Sequence, residues 1–106
     1  MAEVEYLKEW RKKLELEIQV YTSQLKEFEK NREELNLKKL ILTEIAVRQK
    51  SDTDYSTEAF KSHFDFGEIS AKLKHLQSET QKKLEEELIK KIHFNELVID
   101  RIKTIT

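Results

Sequence analysis

Counting in sevens from Leu7 reaches Leu14, Tyr21, Phe28, Leu35 and Leu42, and every stop is apolar, with no Gly or Pro between them. A heptad of this kind keeps one apolar line on one side of an α-helix and suits a coiled-coil seam. It predicts a helix over about residues 3–49. With no Pro and one Gly (Gly67) in 106 residues, a fold of many tight turns is excluded, because such turns need a fixed or positive φ. Charged residues are 39% and hydrophobic residues 38%, with a net charge of −1. Regular apolar spacing at near-zero net charge points to long helices rather than disorder.

With the Leu7 row as d, the a row is Val4, Arg11, Ile18, Leu25, Arg32, Lys39 and Ala46. The d row is fully apolar and the a row mixed. Arg11, Arg32 and Lys39 are expected to lay their stems along the seam and keep their charges in water. A mixed a row weakens a plain parallel dimer and suits an antiparallel hairpin or an offset bundle. At ~1.5 Å per residue, about 45 residues give a rod of ~68 Å whose d row needs a partner. Glu3, Glu5 and Glu9 suit the positive end of the helix dipole. Glu9–Lys13 and Glu34–Lys38 are i,i+4 pairs that suit exposed flanks. The stripe widens from Leu35 to Val47, as for a helix covered by more than one neighbour. Trp10 and Leu16 lie off the d row, and Trp10 is a candidate for a second contact surface.

The run QKSDTDYST at 49–57 concentrates short polar side chains that compete for the backbone. It predicts a loop at about 50–56, with Asp54 or Ser56 capping the next helix. That helix, over about 57–65, would set Phe60 and Phe64 on one face, with a kink at 65–67, where Gly67 is the only mid-chain breaker. A further helix is expected over about 68–104. The periodicity resumes there through Ile69, Leu73, Leu76, Thr80, Leu84, Leu88 and Ile92, and the slip from sevens to fours at Thr80–Leu88 reads as a stutter. Glu86–Lys90 and Glu87–Lys91 add i,i+4 pairs. The tail, rich in Ile and Val, admits a short strand as the alternative. The fold class expected is therefore all-α, one domain over 1–106. It is a long antiparallel helical hairpin with coiled-coil packing, its apolar tail beside Val4, Leu7 and Trp10 and its Phe cluster beside Leu35 to Val47. Self-association or a partner would complete it into a four-helix bundle.

Chemistry is scarce. Residues 1–53 carry 11 basic and 11 acidic groups and residues 54–106 carry 9 and 10, so there is no electrostatic footprint for nucleic acid or an anionic membrane. The absence of Cys removes disulfides, thiolate metal sites and a Cys nucleophile, and fits the cytoplasm, with the nucleus as the alternative. Neither a charged-then-apolar leader nor an apolar run of ~18–20 residues is present, so no secretory signal and no spanning helix are expected. His63, His75 and His93 lack the i,i+3 or i,i+4 spacing of a metal pair, and His93 with Glu96 reverses the order that di-iron bundles use. One Gly cannot build a phosphate-cradling loop. The hydroxyls of the 51–57 loop have neither a Gly-rich elbow nor a nearby His. That loop could accept phosphate on composition alone. Catalysis, cofactors and metals are not expected.

What remains is a non-enzymatic protein–protein interaction module, a structural or scaffolding subunit that assembles a larger complex. The partner would be a second copy or another helical subunit, giving a homodimer or a hetero-oligomer. The expected interface residues are Leu7, Trp10, Leu14, Ile18, Tyr21, Leu25, Phe28, Leu35, Leu42, Phe60, Phe64, Ile92, Val98 and Ile102. Tyr55, Phe60, Phe64 and Phe66 either dock a partner or plug the end of the bundle. The alternative function is a small cytosolic helical chaperone that holds a client polypeptide at the broad apolar end.

Overall fold

The computed structural model describes residues 2–52 and 57–106, with side chains for 2–48 and 57–106. These residues form α1 (Ala2–Asp52), α2 (Thr57–His63), α3 (Phe66–Leu76) and α4 (Glu79–Ile105), and no strand. The chain is all-α, and Ile105 ends a helix rather than a strand. Packing divides it into two units, one of Met1–Glu27 with Lys82–Thr106 and one of Phe28–Gln81.

In the first unit the inward residues of α1 are Val4, Leu7, Arg11, Leu14, Ile18, Tyr21 and Leu25, each buried or half-buried. Those are the a and d positions of the repeat. Leu14 packs with Ile99 and Ile102 of α4, and Leu7, Ile18 and Val98 flank that core. Lys91 Nζ lies 5.7 Å from the centre of the Tyr21 ring, and Asn95 Nδ2 donates to the Leu14 carbonyl at 3.2 Å. Numbers on α4 fall as those on α1 rise, so the two segments run in opposite directions here. Arg11, at an a position, turns its guanidinium to Glu15 at 3.7 Å.

In the second unit the row continues with Phe28, Arg32, Leu35, Lys39, Leu42 and Ala46. Leu42, Ala46 and Leu73 form its buried apolar residues. Arg32 Nε donates to the carbonyl of Leu76, the last residue of α3, at 3.3 Å. Its stem runs in the apolar row while its charge serves a helix C-terminus, where carbonyls lack intrahelical partners and a cation is favoured.

Three boundaries differ from expectation. First, α1 continues through 50–52, where a loop was expected. Gln49 and Lys50 are good helix formers, and Ser51 and Asp52 cost little at a helix end. Residues 53–56, with the expected caps Asp54 and Ser56, and Tyr55, lie outside the described residues. Second, the turn between α2 and α3 uses Asp65, not Gly67, as its special residue. Asp65 takes the left-handed conformation at φ 53°, which a short polar side chain tolerates, while Gly67 sits inside α3 without a positive φ. Around that turn the Phe60 and Phe64 rings lie 5.2 Å apart, and Lys61 Nζ stands 4.8 Å from the centre of the Phe66 ring.

Third, the expected helix over 68–104 is broken at Gln77–Ser78. Gln77 N–H closes α3 on Leu73 O at 3.0 Å, and Ser78 N–H reaches His75 O at 3.1 Å. Ser78 Oγ then accepts the Gln81 N–H at 3.2 Å, so Ser78 is the N-cap of α4. The sequence signal was Ser78-x-x-Gln81, a capping box. Only its first half forms, because Ser78 N–H already has His75 O. Ser78→Ala should lower stability by about 1 kcal/mol, read as a drop of roughly 4–8 °C in the circular-dichroism melt.

The break also removes the expected stutter. Inward residues of α4 are Gln81, Glu85, Leu88, Ile92, Asn95, Ile99 and Ile102, alternating fours and threes without interruption. Thr80 and Leu84 face water. Steps of four from Leu76 land on them, whereas the inward positions there are the polar Gln81 and Glu85. On the exposed flanks Lys38 pairs with Glu34 at 3.3 Å and Lys72 with Glu68 at 3.0 Å. Lys90 meets Glu87 at i,i+3 and 3.8 Å.

Candidate interaction surface

Two sets of apolar residues compete for the role of interface. The inward set is engaged inside the chain. Of the residues that the sequence assigned to a partner, Leu7, Leu14, Ile18, Val98 and Ile102 come together in one core. Tyr21 lies under Lys91. Leu25, Phe28, Leu35, Phe60 and Ile92 are half-buried, and Leu42 is buried. Trp10 and Phe64 are open to solvent, at 49% and 46% exposure.

The outward set is larger. Among the described residues, buried apolar side chains are Leu14, Leu42, Ala46, Leu73, Leu88, Ile99 and Ile102, whereas fifteen large apolar side chains are more than a third exposed. In the first unit these include Tyr6, Trp10, Leu16 and Val20 on α1 and Ile89, Phe94, Leu97 and Ile105 on α4. Tyr6 and Trp10, and Leu16 and Val20, are i,i+4 pairs, so each pair shares a face. Leu16 occupies the heptad position opposite the inward row. Leu16 and Val20 line a shallow groove with Ser23 and Glu27. In the second unit Leu37, Leu40, Ile41, Ile45 and Val47 are exposed on α1.

Grooves in the second unit include two that α1 lines. One, of about 570 Å³, is lined by Asn31, Glu34, Leu35 and Lys38 of α1 and by Ala71, Lys72, His75 and Leu76 of α3. The other, of about 290 Å³, is lined by Lys38, Ile41, Leu42, Phe64 and Ile69, which sets Phe64 against the Leu35–Val47 stretch. Both have an apolar floor and at least one charged side chain at the edge. Such a groove accepts an apolar side chain or a helix face. Among the described residues no three His, Asp or Glu side chains gather as metal ligands, and no described helix is long and apolar enough to cross a membrane.

Trp10 and Leu16 stand out in the sequence as off-row residues, and Phe94 and Leu97 as part of a broad apolar tail, whereas Tyr6 and Val20 do not. Their signal was apolar character at heptad positions that ordinarily carry charge. No protein-family model, curated protein or solved structure matches this chain.

Proposed function

We propose that the chain is a non-enzymatic helical interaction module, a structural subunit that assembles a larger complex by covering its outward apolar faces. Antiparallel coiled-coil pairing of α1 with α4 forms the hairpin, and a second hairpin completes a four-helix bundle. The observation that carries this reading is the excess of exposed over buried large apolar side chains. More exposed apolar surface than isolated residues account for supports an interaction site. A second copy of the chain is the simplest partner, since closed symmetric homo-oligomers are the commonest assemblies. The absence of Cys supports an assembly in the cytoplasm or nucleus.

Solution mass by light scattering across a concentration series, with helicity read on the same samples, tests this. A helical dimer or tetramer at micromolar concentration is expected. A fully helical monomer at every concentration overturns self-association, and a poorly helical monomer moves the partner to a different chain.

A further inference from the structure

The d row of α1 is uniform. In the first unit Leu7, Leu14 and Tyr21 are all apolar, so contact with the d row alone does not fix the height at which α4 lies. We infer that Asn95 fixes that height, as the residue that specifies the register of α4 on α1.

Asn95 interrupts an otherwise apolar stretch of the inward row, between Ile92 and Ile99. It is half-buried, and its Nδ2 donates twice, to the Leu14 carbonyl at 3.2 Å and to Glu17 Oε2 at 2.9 Å. The second bond is to a charged acceptor and is the stronger kind. Its partner is what makes it selective. Glu17 lies three residues after Leu14. A slide of one heptad would bring Asn95 to the level of Leu7 or Tyr21. The residues three further on are then Trp10, which has no acceptor, or Gln24, which is neutral. Only the observed register offers Asn95 a carboxylate. A single polar residue in an apolar seam specifies register at a cost in stability. This inference concerns pairing within the chain and goes beyond the proposed assembly function.

The test is Asn95→Leu, with Glu17→Gln as the second variant. The chain has no Cys, so Lys13→Cys and Glu96→Cys, both at exposed positions, would carry the only two spin labels. The parent should give one inter-label distance. Asn95→Leu should melt at an equal or higher temperature yet add a second, longer inter-label distance, from molecules in which α4 has slid along α1 by about 10 Å, the rise of one heptad. Glu17→Gln should add a smaller fraction of the same population. A single parental distance in Asn95→Leu overturns the inference. Loss of helicity in Asn95→Leu also overturns it, because Asn95 would then supply stability rather than register.

Discussion

Ile102→Asp should abolish the cooperative melt of the first unit. Ile102 is the most buried of the core apolar residues, at 2% exposure, and it shares its core with Leu14 and Ile99. Neither residue can pair a carboxylate, and an unpaired buried charge is among the costliest single changes. Ile102→Ala isolates the packing share. Large-to-small changes at buried aliphatic sites cost about 2–5 kcal/mol, which for a chain of this size is a fall of roughly 10 °C or more in melting temperature. Asp100→Ala is the control. It lies on the same helix, is exposed and belongs to neither apolar set, so it should stay within about 0.5 kcal/mol of the parent. Equal melting of Ile102→Ala and Asp100→Ala would show that α4 does not pack on α1 through the residues described.

Gln81→Leu should stabilise the chain. Gln81 is 5% exposed, and its Nε2 has no hydrogen-bond partner. A buried donor without a partner costs about 1–3 kcal/mol, and an apolar group of similar shape removes that cost. The expected gain is about 1 kcal/mol, or a rise of roughly 4–8 °C in melting temperature. The cap on α4 survives the change because Ser78 Oγ bonds the main-chain N–H of residue 81. Gln81→Leu and Ser78→Ala should therefore move the melt in opposite directions, although the two residues touch. A destabilised Gln81→Leu would mean that the amide has a partner in solution, most simply a bound water.

The helices were legible where a single force set them. The row from Val4 to Ala46 is a run of apolar residues, Arg and Lys at a strict seven-residue period, and each of its members is buried or half-buried. Long basic side chains did not hide the period, because their stems are apolar. In α4 the period was obscured. Gln81, Glu85 and Asn95 occupy inward positions there, and steps of four from Leu76 reach Thr80 and Leu84 instead. The α3–α4 break escaped notice because Gln77 and Ser78 are ordinary in a helix, and the stop is made by a hydroxyl bonding a main-chain N–H three residues on. Asp65 was harder still. A left-handed residue is expected at Gly, and Gly67 was two positions away. As for the surface, Trp10, Leu16 and the broad Leu35–Val47 stripe were legible as apolar residues off the seam, whereas Tyr6 and Val20 are set apart by their exposure alone.

Trp10 gives the most direct measurement of whether those outward faces are the interface. It is the chain's one Trp and is 49% exposed, so its fluorescence reports a single outward position. Acrylamide quenching of Trp10 should be followed from dilute to concentrated samples, with helicity held constant. Assembly through the outward face predicts that quenching falls several-fold and emission moves to shorter wavelength as mass increases. Quenching that stays constant while the chain associates would contradict that placement and put the interface elsewhere.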